Sequence, residues 1–446
     1  MTEATEPIGS RVELIDYFRA GEKPASQWRV GTEHEKIGIY SDTGDRVPYE
    51  GDRGIGALLG CIARVDGWEP VEEGGSLIAL RKDGASITLE PGGQLELSGA
   101  PLATSRDTCR EFARHVELVK RESAALGITW LALGVDPIHP VSAIPRMPKG
   151  RYAIMSDYLP TRGGHALDMM HATATVQANF DFGDEADMVQ KMRTAMGCTA
   201  ITSAIFSNSP ISEGRPNGFV SKRVRIWRDV DPDRCGFLPF VFDPDFGYAR
   251  YAEWALDVPM FFVVRNHEYK PANGMTFRQF YEQGFEGARA TLEDWDLHLT
   301  TVFPEIRLKR YIEVRGTDCV PPDLICAVPA LWKGLLYDAE ACNAAWELVC
   351  DWGDGDREEA LDTASAQGLA GSVAGRPMLA WAQDLVAIAR DGLGRLAAPE
   401  TGDERSFLDP IDEVLARGQS PGEVLLARWN GDWAGSMEKL IDFARY

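Results

Sequence analysis

Four stretches of the chain alternate polar and apolar side chains with a period of two, the mark of strands whose two faces meet different surroundings. In residues 31–38 (GTEHEKIG) the alternation puts Glu33 and Glu35 on one side and His34 on the other. In residues 88–98 (TLEPGGQLELS) Glu90 and Glu96 flank a Pro-Gly-Gly break, and Gln94 shares a face with Glu96. Residues 173–181 set Thr173, Thr175, Gln177, Asn179 and Asp181 against Ala174, Val176, Ala178 and Phe180. Residues 307–315 set Arg307, Lys309, Tyr311, Glu313 and Arg315 against Leu308, Ile312 and Val314. The patterns predict strands over 29–40, within 76–98 with a reversal at Lys82-Asp83-Gly84, over 173–181 and over 305–315, with a further one at 258–265.

Helical periodicity covers much of the rest. A helix is expected over about 10–20. Thr104 and Ser105 suit the cap of an amphipathic helix that reaches about Ala125 and stops at Gly127. A second long helix over 184–206 carries Met188, Met192 and Met196 four apart, a core stripe. The glycines of residues 54–60 lack the spacing and the leading strand of a dinucleotide loop and read as a helix opening. Residues 208–257, rich in Pro, Gly and Asp, read as long ordered loops. After Pro322 the pattern is helical, with 353–376 its least ordered part. The expectation is an α+β chain with helices on one face of a mainly antiparallel sheet.

One face of an antiparallel sheet commonly points to water, and each polar face alone fits that reading. Taken together the four faces gather carboxylates, which at about 4 Å repel by roughly 4 kcal/mol at an effective dielectric near 20. A divalent cation, Mg²⁺ or Mn²⁺, held by Glu oxygens, an amide oxygen and waters would offset that repulsion, and the Arg and Lys of residues 307–315 would face anionic phosphates beyond it. His34 faces the other way and is expected to be packed or paired. Lys149 and Arg151 sit beside a turn, and Arg223 and Arg225 are placed on one strand face; both pairs suit either salt bridges or capture of substrate carboxylates. There is no HExxH zinc pattern, no GxxxxGK[ST] phosphate loop and no GxSxG elbow, so a bound nucleotide would lie on the sheet.

Composition narrows the classes further. The 446 residues carry 68 acidic and 46 basic side chains, a net charge of −22, which argues against nucleic acid or an anionic membrane as partner. With 44% hydrophobic and 26% charged residues, disorder and coiled coil are poor readings. No stretch of roughly 18 apolar residues appears, and the first residues lack a targeting pattern. The eight cysteines are scattered without CxxC spacing and read as thiols of a cytoplasmic protein rather than a disulfide framework or a zinc site, with pairing of one or two under oxidation left open.

The segments GTEHEKIG, SITLEPGGQLELSGAPL, PRMPKGRYAIM, LDMMHATATVQANFDF, NSPISEGRPNGFVSKRVRIW, LPFVFDPDFG, ALDVPMFFVVRN, RLKRYIEVRGTD and NGDWAGS together resemble the plant and proteobacterial branch of the glutamate–cysteine ligase family. The resemblance implies a glutamine-synthetase-like catalytic fold, a curved six-stranded antiparallel sheet with helices outside, as one catalytic unit over 1–446 (sheet core about 29–320, mainly helical part about 323–446). It implies ATP-dependent joining of the glutamate γ-carboxylate to the cysteine amine through γ-glutamyl phosphate, the first step of glutathione synthesis, in a monomer or homodimer. By position, Glu33, Glu35, Glu90, Glu96, Gln177 and Glu313 match metal-site residues, Arg315 faces the transferring phosphoryl group, Lys36 and Lys309 are further ATP-phosphate candidates, and Arg151 and Arg223 match residues gripping amino-acid carboxylates. Phe261 stands where plant members carry a Tyr near the cysteine carboxylate. Plant members are also described as redox-regulated through cysteine pairs, which the resemblance does not map onto this chain. Two alternatives stay open at this point: a ligase using another amine, and an inactive binding protein of the same fold.

Overall fold

A computed structural model describes residues 6–446; the first five positions, on which part of the N-terminal reading rests, lie outside them. Its centre is a nine-stranded sheet. In chain order the strands are β1 (Val30–Tyr40), β2 (Glu69–Glu73), β3 (Ser76–Lys82), β4 (Ala85–Leu89), β5 (Leu95–Ser98), β6 (Ile128–Leu131), β7 (Val176–Phe180), β8 (Ile306–Leu308) and β9 (Ile312–Val314). They lie in the order β8-β9-β7-β1-β5-β4-β3-β2, and every pairing is antiparallel. The 11-residue β1 serves twice: its first half runs between β7 and β5, and residues 37–40 pair with β6. Mainly antiparallel architecture was expected; nine strands replace the six the resemblance implied.

β7 packs against the helix Ala327–Leu336, and the apolar face of β8 and β9 is covered by the helix Glu185–Ile205, which Asp184 caps by accepting from the Asp187 N–H. Met188, Met192 and Met196 are fully buried along it. This helix has apolar residues all round because the helices Ala339–Val349, Asp354–Gln367 and Met378–Leu396 cover its far side. The helix Ser105–Ala124, with Thr104 accepting from the Asp107 N–H, begins and ends where expected.

Four expectations change. The segment 305–315 is a hairpin, not one strand: the Lys309 N–H donates to the Tyr311 carbonyl, and the chain reverses so that Arg307 pairs with Glu313. Arg223 and Arg225 lie on a helix, Lys222–Trp227, whose N-cap Ser221 accepts from the Val224 N–H. The alternation of buried Val224 and Ile226 imitates a strand, but two residues apart on a helix do not share a face. That helix and Tyr248–Asp257 also interrupt the stretch read as loops. Residues 353–376 are ordered: the helix Asp354–Gln367 packs on Glu185–Ile205, and its Ala360 and Ala364 are small because the helices lie close.

Cys109 and Cys326 form a disulfide across 217 residues with their Cα atoms 5.7 Å apart, a single pair of the kind the scattered cysteines left open, and the other six are free thiols. Among the described residues no helix is long and apolar enough to cross a membrane.

Candidate active site

The polar face of the sheet lines a cavity of about 300 Å³. Register explains its acidic wall. Glu35 of β1 lies opposite Glu96 of β5, and Glu33 opposite Gln177 of β7, so alternation on three neighbouring strands sends all four side chains to one side. Glu90 joins them from the Pro91-Gly92-Gly93 break. Only glycine fits at 92, where a Cβ would stand 2.2 Å from the His171 carbonyl. Gln94 ties this turn down: its Oε1 accepts from the Gly92 N–H at 3.0 Å and its Nε2 donates to the Thr173 carbonyl at 2.7 Å.

Basic groups form the opposing wall. Lys149 and Arg151 stand at the start of the helix Gly150–Tyr158, where Lys149 Nζ donates to the Leu89 carbonyl at 2.7 Å. Arg223 Nη2 donates to the Arg315 carbonyl at 3.0 Å. Arg315 Nη1 donates to Gln177 Oε1 at 3.0 Å and to Glu313, and its guanidinium lies 5.5 Å from the Trp227 ring and 5.7 Å from that of Phe303. The Nε atoms of Arg151 and Arg223 are buried without a hydrogen-bond partner in the protein. Guanidinium N–H groups left unpaired beside a cavity are ready for an anionic ligand.

The charges divide accordingly. Burial, then Glu313 and Glu96, pushes Glu33 up to about 7. Burial, then Glu90, does the same for Glu96, and Glu35 is raised well above its ordinary value by burial, Glu90 and Glu96. Burial opposes ionisation of Glu313 too, but Arg307, Arg315 and Lys309 outweigh it and hold Glu313 down to about 2. The cavity thus presents one wall of uncompensated carboxylates and one of excess positive charge.

Of the twelve residues to which the resemblance gives a site role, Glu33, Glu35, Glu90, Glu96, Gln177, Arg151, Arg223 and Arg315 line this cavity, as does Lys149; the other four do not. Lys36 is on the His34 side of β1, buried, with Nζ on the His34 carbonyl at 3.2 Å; the alternation that exposes Glu35 to the cavity turns Lys36 away. Phe261 is packed in the core, 3.9 Å beneath the Arg234 guanidinium. Lys309 sits in the hairpin turn, its Nζ 4.8 Å from the Tyr311 ring centre. Glu313 is fully buried with both oxygens taken by arginines, so its geometry is that of an anchor for Arg307 and Arg315 rather than a free metal ligand. Lining residues given no role by the resemblance include Arg307, Gln94, Tyr152, Trp227 and Phe303. For Arg307 the signal was present, since it stands in the same alternating series as Glu313.

The family model for glutamate-cysteine ligase family 2 matches residues 29–442. The chloroplastic glutamate–cysteine ligase of Brassica juncea is 44% identical over 446 residues, covering 99% of this chain and 85% of its own length. That of Arabidopsis thaliana is also 44% identical, covering 99% and 84%. Glutamate–cysteine ligase B of Oryza sativa subsp. japonica is 43% identical, covering 100% and 88%. These relatives are chloroplastic, which overturns the cytoplasmic location expected from the cysteines and the first residues. A glutamate–cysteine ligase from Francisella tularensis, solved in complex with AMP, aligns with a TM-score of 0.55 over 94% of this chain and 87% of its own at 11% identity, a likeness of fold. With the family model spanning nearly all the chain and relatives this similar along their length, the chain belongs to glutamate–cysteine ligase family 2.

Proposed function

We propose that the chain is a glutamate–cysteine ligase, acting as one catalytic unit over its sheet and its helical part. A γ-carboxylate oxygen of L-glutamate attacks the γ-phosphorus of ATP, the bond to the β–γ bridging oxygen breaks, and ADP leaves. The cysteine amine then attacks the acyl carbon of the resulting γ-glutamyl phosphate. The C–N bond forms, the C–O bond to phosphate breaks, and the amine loses a proton. The observation that carries this reading is the two-walled cavity, carboxylates facing arginines on one sheet, in a member of this family.

In such a reaction positioning and charge do the catalytic work, and no protein nucleophile is required. Arg315, fixed by Glu313 and Gln177, is the group for the transferring phosphoryl oxygens. Arg151 and Arg223, each with an unpaired Nε, bind substrate carboxylates, and Arg307 adds positive charge beside Arg315. Trp227, Phe303 and Tyr152 narrow the water-accessible space around these charges.

Glu33, Glu35, Glu90 and Glu96 fit Mg²⁺: all four are hard oxygen donors, and burial and neighbouring carboxylates push Glu33, Glu35 and Glu96 toward protonation. Among the described residues no three His, Cys, Asp or Glu converge tightly enough to enclose an ion on their own. That suits Mg²⁺, which commonly takes one or two carboxylates and completes its shell with water and phosphate. When bound there it would neutralise phosphate charge. Substrates are small molecules, with ATP among them.

The test is ADP release from Mg-ATP and glutamate while cysteine and other amines are added one at a time. Stimulation by cysteine with γ-glutamylcysteine identified by mass supports the reading. Stimulation only by another amine, or by none, defeats it.

A further inference from the structure

We propose that the Tyr446 hydroxyl is a positioning group for the active site, clamping from the rear of the sheet the strand that carries Glu33 and Glu35 to the segment that follows Arg315. The assignment of roles to those residues rests on the ligase reading above; the clamp itself rests on contacts.

Residues 444–446 lie along β6. The Ala132 N–H donates to the Ala444 carbonyl at 2.8 Å, Arg445 bridges Leu131, and the Tyr446 N–H donates to the Trp130 carbonyl at 3.1 Å. This pairing delivers the Tyr446 ring to the side of β1 away from the cavity, at right angles to His34 with centroids 5.6 Å apart. Its hydroxyl lies 2.8 Å from His34 Nε2 and 3.3 Å from Cys319 Sγ. Cys319 Sγ in turn donates to the Glu35 carbonyl at 3.2 Å.

One phenol and one thiol therefore join three points: the His34 side chain, the Glu35 backbone and Cys319, four residues beyond Arg315. His34 lies between the two carboxylates in sequence and projects to the opposite face, so a rotation of β1 about its axis moves His34, Glu33 and Glu35 together. The imidazole also packs edge-on against Phe112, 4.6 Å between centroids, and among the described residues its Nδ1 has no hydrogen-bond partner. Among the described residues the Tyr446 hydroxyl is thus the hydrogen-bond partner of that ring. Across the sheet the neighbouring link is Thr175, whose Oγ1 donates to the Thr317 carbonyl at 2.5 Å and whose N–H donates to Glu35 Oε2 at 3.1 Å. Front and rear restraints converge on Glu35.

Tyr446→Phe keeps the ring and removes the clamp. Three quantities are measured on the full chain: kcat and KM for each substrate, the thermal midpoint, and amide hydrogen exchange of peptides covering 30–40 and 312–320. The expected result is a kcat lower by about tenfold, in line with small misplacements of reacting groups. Exchange should rise in those two peptides alone, with the thermal midpoint close to wild type. Phe443→Ala, which trims an exposed ring of the same segment packed on Trp433, should leave kcat and both peptides unchanged. In a His34→Leu background the further effect of Tyr446→Phe should shrink, because one of the hydroxyl's two links runs through His34.

A kcat within twofold of wild type with unaltered exchange overturns the proposal, as do single-variant effects that simply multiply, or a Phe443→Ala variant that behaves like Tyr446→Phe. If Tyr446→Phe does not accumulate folded, Cys319→Ala reads the same link from the other side, with the same expected and contrary results. A wild-type chain that ligates nothing would sink the ligase reading, while the exchange comparison would still decide the clamp.

Discussion

Arg307 and Glu313 face each other directly across the β8–β9 hairpin, with Arg307 Nη2 2.7 Å and Nε 3.1 Å from Glu313 Oε2. Arg315, two residues further on, bonds the other carboxylate oxygen. One fully buried carboxylate thereby orients two guanidinium groups that line the cavity; the N–H groups of Arg307 are taken by Glu313 and by the Thr300 and Val302 carbonyls, whereas Arg315 bonds through Nη1.

Glu313→Gln should therefore lower kcat for ADP release by about 10²–10³-fold, the scale of losing a preorganised charge contact, while the half-saturating Mg²⁺ concentration stays within about twofold. A tenfold rise in Mg²⁺ demand with kcat restored at high Mg²⁺ would instead make Glu313 a metal ligand. The variant should also be less stable by about 3–5 kcal/mol at neutral pH, because two buried guanidiniums lose their counter-charge. The folded pKa of Glu313, about 2, lies below the ordinary 4.5. Its contribution is present in full above about 4.5 and fades as pH falls through about 2, so the stabilities of the two proteins should converge in acid. Denaturant midpoints across pH test this.

Alternation on β1, β5 and β7 was enough to bring Glu33, Glu35, Glu96 and Gln177 to one wall, because a strand has only two faces and its neighbours share them. The same rule would have removed Lys36, one residue beyond Glu35 and so on the other face. The hairpin inside 305–315 escaped because residues 309–311 carry no Gly, Pro, Asn or Asp, and the reversal comes from sheet pairing rather than turn chemistry. Arg223 was placed on a strand because Val224 and Ile226 alternate over too short a run to separate the two periods, although Ser221 offered a cap. The Cys109–Cys326 link spans 217 residues and depends on how two helices meet, which spacing does not encode.

Arg223→Lys should raise the KM of an amino-acid substrate by about 10–100-fold, the value of a hydrogen bond to a charged group, with the KM of ATP within twofold. Its Nη2 is committed to the Arg315 carbonyl, and its free Nε has no equivalent in lysine. Initial rates with each substrate varied in turn decide it; a change confined to ATP would remove Arg223 from substrate binding.

Phe261→Tyr tests the position where the resemblance implies a Tyr in plant members of the family. Phe261 is 2% exposed, against the Arg234 guanidinium and Tyr158, and outside the cavity. The added hydroxyl should leave the KM of cysteine within twofold and cost about 1–3 kcal/mol if it stays unpaired. A fall in the KM of cysteine of fivefold or more would show that the ring reaches the acceptor.

Glu33 and Glu96 are both pushed up to about 7, chiefly by burial and then by neighbouring carboxylates. A carboxyl whose folded pKa lies above 4.5 favours the protonated folded state. These two groups therefore support stability below about 4.5 and oppose it as pH rises through about 7. A divalent cation requires them deprotonated, so binding near pH 7 must expel protons. Calorimetric titration of Mg-ADP in two buffers of different ionisation enthalpy should show release of about one proton per site at pH 7. Affinity should climb from about pH 6 to about pH 8 and level off above, and the Mg²⁺-dependent rise in thermal midpoint should grow over the same interval. In Glu33→Gln or Glu96→Gln the proton release should shrink along with the pH dependence. Wild-type affinity that is flat across this range, with no proton release, would place the cation away from both carboxylates.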